Sequence, residues 1–229
     1  MKKNISALIA VRSGSVRVKN KNLRKFCESN LLELKIKQLK EIDELDQIVV
    51  NSNCDEMLNI AEKNNVIAIK RDNYFSSNIV SMSEVFENMA KQIESEYIMY
   101  ANCTNPLVKT QTYQSAINEF FNNSKEYDSL ASCHDIKDFL YLDGKALNYD
   151  PQNQPRSQDL PNIVALNFAI SIISKKGMIK NKNIIGQNPI FYKLDEVESV
   201  DIDTPLDFFN AENIYKKIMI KKDTSYILD

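Results

Sequence analysis

Two stretches at opposite ends of the chain hold residue types suited to phosphate chemistry. The first is Arg12-Ser13-Gly14-Ser15-Val16-Arg17-Val18-Lys19-Asn20-Lys21-Asn22, where Arg12, Arg17, Lys19 and Lys21 stand among small and amide-bearing residues. Small residues let backbone N–H groups close on an anion and the cations neutralise it, so a triphosphate is the natural guest. The G-K-[ST] ending of a Walker A loop is missing. Taken alone, the stretch is also compatible with a solvated basic loop. The second is Asp201-Ile202-Asp203. Carboxylates at i and i+2 of an extended segment point to one side and repel unless a cation lies between them, which suits Mg²⁺ or Mn²⁺. The plainer alternative is that Asp203 or Thr204 caps the last helix and Asp201 is solvated.

Arginine is scarce: Arg12, Arg17, Arg24, Arg71 and Arg156 are the full set among 29 Lys and Arg residues. Where lysine suffices, this chain uses lysine. The arginines therefore mark places where planar, bidentate recognition is needed.

These residues need elements to position them. Short apolar runs at Ile5–Val11, Gln47–Asn51, Val66–Lys70, Tyr97–Ala101 and Ser129–Ser132 read as strands. Helical segments stand between them: Leu31–Ile42, Asp55–Asn64 (capped from Asn53 or Asp55), Ser83–Glu94 (capped from Ser81 or Ser83) and Thr110–Phe121. The alternation predicts an α/β fold, a mostly parallel sheet with helices on both faces. Such sheets bind ligands at the carboxyl ends of their strands. The polar segments after the first strand, after Lys70 and after Ala101 should meet there. Residues 137–162 break the pattern with Gly144, Pro151, Pro155 and Pro161, and read as a hairpin (Phe139–Leu147) and an extended arm. Strands follow at Ala165–Ile173 and Ile190–Leu194, then a last helix from Thr204, with Pro205 in its first turn, to about Lys221. The 229 residues read as a single domain that includes the arm.

Composition excludes several classes. Lys+Arg 29 against Asp+Glu 31 leaves no global attraction to nucleic acid. No apolar run is long enough to span a membrane, and Met1–Asn4 leads into a first strand rather than a signal peptide. Cys27, Cys54, Cys103 and Cys133 are scattered, with one histidine, so neither a zinc site nor a disulfide framework is expected. A cytoplasmic location is expected. His134, alone at a strand end, reads as structural.

Taken together, the two end motifs are recognisable. Ala10-Val11-Arg12-Ser13-Gly14-Ser15-Val16-Arg17-Val18-Lys19-Asn20-Lys21-Asn22-Leu23 resembles the A-R-x-G-S-x-x-(I/V)-x-x-K-N signature of the acylneuraminate cytidylyltransferases, the CMP-sialic acid synthetases. Asp201-Ile202-Asp203-Thr204-Pro205-Leu206-Asp207-Phe208 is similar to that family's D-I-D-T-x-x-D-F. Asn105-Pro106-Leu107 looks like the end of its Q-P-T-S-P-L, and Arg156-Ser157-Gln158-Asp159-Leu160-Pro161 like its R-x-Q-x-x-P. The resemblance covers nearly the whole chain. It implies a Rossmann-like nucleotidyltransferase in which the anomeric hydroxyl of an acidic 2-keto-3-deoxy sugar attacks the α-phosphate of CTP and pyrophosphate leaves.

By the same resemblance, Arg12, Lys21, Asp201 and Asp203 carry catalysis. Arg12, Ser13, Gly14, Ser15, Lys21, Asn22, Arg71 and Ser81 bind the nucleotide, with Arg71 reading cytosine. Asn102, Thr104, Arg156, Gln158 and Asn167 face the sugar, and Asp201 and Asp203 hold Mg²⁺ or Mn²⁺. The resemblance also implies a homodimer in which residues 137–162 reach the neighbouring site, and a role in surface glycan assembly. Departures cluster at the sugar. Asn102, Cys103 and Asn105 stand for the family's Gln, Pro and Ser, and its N-G-A reads Asn167-Phe168-Ala169. Sialic, legionaminic and pseudaminic acids all stay open as acceptors.

Three rival functions would leave different marks in the sequence. A nucleotidyltransferase acting on a phosphorylated sugar or polyol would show a G-x-G-T/S-R loop, which Gly14 alone does not make. A D-x-D glycosyltransferase would place its acidic pair after a mid-chain strand. A non-catalytic nucleotide-binding relative is disfavoured by intact Arg12, Lys21, Asp201 and Asp203.

Overall fold

The first strand, β1 (Ile5–Ala10), is buried on both faces and, Ser6 apart, apolar. Ala7 and Ile9 enter a core on one side of the sheet and Leu8 a second core on the other, the two-residue alternation of a strand. The computed structural model describes residues 3–77 and 79–220. After β1 come a short ribbon, β2 (Lys25–Phe26) and β3 (Ser29–Asn30), then α1 (Leu31–Lys40), β4 (Gln47–Ser52), α2 (Asp55–Lys63) and β5 (Ile67–Lys70). Next are α3 (Met82–Lys91), β6 (Tyr97–Ala101), α4 (Thr110–Asn123) and β7 (Ser129–Ile136). A two-strand hairpin, β8 (Tyr141–Leu142) and β9 (Lys145–Ala146), precedes β10 (Ile163–Ser174), α5 (Lys175–Asn181), β11 (Pro189–Lys193) and α6 (Pro205–Tyr215). The end expected for the last helix, Lys221, lies outside the described residues.

Seven strands form one sheet in the order β11-β7-β10-β6-β1-β4-β5. All neighbours run parallel except β10, which is antiparallel to both β6 and β7. The mostly parallel sheet read from the sequence is therefore what forms. Residues of α1, α2, α4 and α6 pack in the larger core, and those of α3 and α5 in the smaller one.

Local chemistry explains the boundaries. Asn30 caps α1 by accepting from the Glu33 N–H at 2.9 Å. Ser81 with Glu84, and Thr204 with Asp207, form reciprocal capping boxes at α3 and α6, and Pro205 occupies the first turn of α6. The expected cap of α2 is corrected: Cys54 is the capping residue and contributes no side-chain bond. Asn53 is spent elsewhere, because its Oδ1 accepts the Ser13 N–H at 3.1 Å. The predicted hairpin turns at Asp143 and Gly144, with φ of 49° and 78°, the twist that suits a two-residue connection.

β10 carries a bulge, where its register against β7 shifts between Leu166 and Ser171. Asn167 holds it: Oδ1 accepts from Ser132 Oγ at 2.5 Å and from the Ala169 N–H at 3.2 Å. Phe168 sits in the bulge at φ 55°. A bulky residue in the left-handed region costs about 1–2 kcal/mol, which explains why glycine suits this position.

Candidate active site

The carboxyl ends of β1, β4 and β6 lie side by side, and three polar segments converge on them. Directly after β1 the Val11 N–H bonds the Asn51 carbonyl, which continues the strand by one residue. The chain then loops through Gly14, whose φ of 84° is open only to a residue without a Cβ penalty. It closes again where the Lys21 N–H meets the Val18 carbonyl. The result is a cup of about 330 Å³ walled by Arg12, Gly14, Ser15, Arg17 and Lys21. Ser13 is tethered to Asn53 by two hydrogen bonds, so the mouth of the cup is tied to the loop after β4.

Lys21 joins the two end motifs. Its Nζ donates to the Ile202 carbonyl at 2.5 Å and lies 3.4 Å from Asp203 Oδ1. Arg17 reaches the same Asp203 oxygen at 2.9 Å. The Ile202 N–H in turn bonds the Thr104 carbonyl after β6. Three segments more than 80 residues apart in sequence are thus held in one corner, as the sheet topology requires.

The acidic pair is asymmetric. Asp203 is neutralised by Arg17 and Lys21, so repulsion within the pair is not the whole account of it. Asp201 is half-buried, and burial pushes its carboxyl up from the ordinary range; a hydrogen bond from Thr104 opposes that and the charge on Asp203 adds to it. Its Oδ1 is buried with no partner. An orphaned carboxylate oxygen beside a second carboxylate is a donor set that fits a hard divalent cation. No group of three or more His, Cys, Asp or Glu residues suited to a metal occurs among the described residues. The protein would supply two ligands, which is how Mg²⁺ shared with phosphates is usually held.

A cleft of about 350 Å³ adjoins the cup and shares Arg12 with it. Its other walls include Val11, Arg71, Val80 and Tyr100. Arg71 is buried and fixed: Nε donates to Asn51 Oδ1 at 2.6 Å and an Nη to the Asn51 carbonyl at 2.9 Å. Burial lowers its pKa. Arg12 donates to the Ser76 carbonyl at 3.0 Å across the same cleft. A third pocket, about 520 Å³, contains Asn102 and meets the cleft at Met82 and Tyr100.

The remaining sequence-predicted residues divide. Asn22 is buried and does not line the cup; its Oδ1 is unpartnered. Thr104 is buried and turned to Asp201. Ser81 lines neither the cup nor the cleft; its hydroxyl is engaged with Glu84 at the start of α3. Asn167 is buried in the β10 bulge, where its amide oxygen is already occupied. Arg156 and Gln158 are exposed on the arm and line none of these three cavities of their own chain. Arg156 pairs with Asp159 at 3.0 Å. Arg17, one of the cations of the basic loop, is brought to Asp203, and Asn53, expected as a helix cap, is brought to Ser13.

A cytidylyltransferase family model matches residues 6–220. The flagellin post-translational modification protein B of Campylobacter coli is 24% identical over 226 residues, covering 93% of this chain and 95% of the relative. The pseudaminic acid cytidylyltransferase of Campylobacter jejuni is 24% identical over 225 residues, covering 91% and 95%. Among solved structures, a CMP:2-keto-3-deoxy-manno-octonic acid synthetase complexed with CTP superposes with a TM-score of 0.69 at 11% identity, over 96% of this chain and all of that one.

Proposed function

The chain belongs to the cytidylyltransferase family, and from that premise we propose that it transfers CMP from CTP to the anomeric hydroxyl of an acidic 2-keto-3-deoxy sugar, releasing pyrophosphate. The observation that carries the reading is the Lys21 bridge, which fastens the basic cup to the acidic pair beside a cleft with a fixed arginine.

Nucleotidyl transfer asks a protein for positioning and charge neutralisation more than covalent chemistry. The cup takes the triphosphate: backbone N–H groups around Gly14 and Ser15 approach it, and Arg12, Arg17 and Lys21 offset its charge. Arg12, common to cup and cleft, spans the α-phosphate end of the nucleotide. The cleft takes the base, with Arg71 directing guanidinium N–H groups toward cytosine acceptors. Asp201 and Asp203 would hold Mg²⁺ or Mn²⁺, which when bound supplies charge neutralisation at the phosphates. Arg17 can then exchange Asp203 for a phosphate oxygen without leaving the cup.

The acid sugar carries a carboxylate beside its attacking hydroxyl, and a planar guanidinium fixes both in line. Arg156 is the arginine left for that task. It is exposed on an arm that also exposes Tyr141, Leu142 and Leu147. An apolar arm of this kind suits a homodimer in which Arg156 and Gln158 complete the neighbour's site. No described helix is long and apolar enough to cross a membrane, and we place the enzyme in the cytoplasm, in surface glycan assembly. The test is pyrophosphate release with CTP against a panel of 2-keto-3-deoxy acid sugars. Turnover of glucose 1-phosphate or glycerol 3-phosphate, and of no acid sugar, would replace this reading with the phosphorylated-acceptor one.

A further inference from the structure

The pocket beside Asn102 has walls unlike those of the cup. Phe86, Leu166, Phe168, Ile184 and Ile185 give it a largely apolar surface, and it meets the base cleft at Met82 and Tyr100. Its floor is rigid. Ile184 is buried in the smaller core, Phe86 and Ile185 pack against that core, and the rings of Phe86 and Tyr100 meet edge to face at 6.2 Å. Phe168 is different. It is 43% exposed and keeps a left-handed backbone that a phenylalanine adopts only at a cost. Glycine or asparagine would hold the same bulge with less strain. The bond from the Asn102 N–H to the Ala169 carbonyl sets this ring against the strand end that carries Asn102.

A strained residue that presents an aromatic face to a cavity contiguous with the nucleotide site is a specificity device. We propose that Phe168 walls an apolar acceptor subsite, selecting an acidic sugar whose tail ends in a methyl group over one ending in a hydroxymethyl group. The inference rests on the CMP-transfer reading and deepens it. The anomeric hydroxyl of such a sugar must face the α-phosphate, so the tail at the other end of the chain is the part that extends away from it. In this pocket most of the surface the tail meets is apolar; Ser83, Asn102, Lys182 and Asn183 are its polar members, and Lys182 is already paired with Glu87 at 2.9 Å. A methyl group loses nothing on desolvation there, whereas a hydroxyl gives up water for walls that offer little in exchange.

The test uses the full-length protein, CTP and a pair of 2-keto-3-deoxy nonulosonic acids that differ only in a terminal methyl or hydroxymethyl group. The wild type should prefer the methyl sugar by about tenfold or more in kcat/KM, the range one such group commands in an apolar pocket. Phe168→Gly relieves the backbone strain, so it should fold and melt no lower than the wild type, and the preference should fall toward unity. Phe168→Asn also tolerates the left-handed backbone and should shift the preference toward the hydroxymethyl sugar. Unchanged discrimination in both variants would overturn the proposal. Absence of turnover with either sugar would instead strike the CMP-transfer reading, which separates the two failures.

Discussion

Lys35 offers the sharpest quantitative test of the fold beneath the site. It lies on α1, fully buried, and its Nζ donates to Tyr113 Oη at 2.6 Å and to the Asn105 carbonyl at 3.0 Å. It thereby anchors the loop after β6 whose Thr104 carbonyl receives the Ile202 N–H. Burial pulls its pKa from 10.5 down to about 7. The groups facing it are the Cys103 thiol, raised to about 12 by burial, the Tyr113 hydroxyl, also pushed up by burial, and the Glu198 carboxylate, which favours the charged amine. A depressed folded-state pKa means that the unfolded chain binds the extra proton between pH 7 and 10.5, so stability rises with pH in that window. The full slope is about 1.4 kcal/mol per pH unit. Because the amine is half-protonated at the start, the gain from pH 7 to 9 is about 2 kcal/mol. Above pH 9 the Cys103 thiol acts in the opposite direction, since a raised folded-state pKa loses stability as pH rises past the unfolded value of 9.0.

Lys35→Met keeps the length and apolar stem of the side chain while removing the amine. Urea denaturation of wild type and variant at pH 7, 8 and 9 isolates the contribution, because titrations not coupled to Lys35 cancel in the difference, and the coupled Cys103 thiol, raised to about 12, stays protonated over this range. The wild type should gain about 2 kcal/mol on the variant across the series. Any advantage of the variant should be largest at pH 7, where keeping the amine buried costs the wild type most, and should shrink as pH rises. Parallel pH profiles would show that Lys35 keeps an ordinary pKa and would refute the reasoning.

Four further outcomes follow from the site. Asp203→Ala should abolish turnover while calorimetry still detects CTP bound through Arg12 and Lys21; full activity of Asp201→Ala and Asp203→Ala enzymes in chelator would rule out the metal role. Arg71→Ala should raise the CTP KM and erode discrimination against UTP, and a wild type that prefers ATP or GTP would contradict the assignment. Arg156→Lys should lower kcat/KM for the acid sugar by roughly thirtyfold or more, with little effect on CTP, as expected when a charge-assisted pair loses its bidentate geometry. Mixing Arg156→Ala with Asp203→Ala protomers should restore roughly a quarter of wild-type activity, because half the dimers are mixed and each has one intact site; no recovery after subunit exchange would argue that each Arg156 serves its own chain.

The sheet was legible because its strands are nearly continuous apolar runs separated by capped helices, and each run occurs close to where it was read. Helix starts were placed within a residue or two, since capping leaves a local signature at Asn30, Ser81 and Thr204. What could not be read is non-local. β10 extends from Ile163 to Ser174 and runs against both neighbours, a direction that no periodicity records. The β2–β3 ribbon and α5 are too short to show a period. The α2 cap failed for a related reason. Asn53 has the right chemistry to cap, and a tertiary partner, Ser13, takes it away.

The arginines show how far residue type alone can locate a site. Arg12 and Arg71 line one cleft and Arg17 holds Asp203, so three of the five stand where a nucleotide would meet the protein. Arg24 has a structural use, with its guanidinium 5.2 Å from the Phe208 ring. Arg156 is the one whose bond within its own chain, to Asp159 three residues on, is of the exposed kind that contributes little to stability. A chain that writes lysine wherever lysine suffices has little reason to keep an arginine for such a pair. A carboxylate on a bound sugar, met across a subunit boundary, would use the planar fork that lysine lacks.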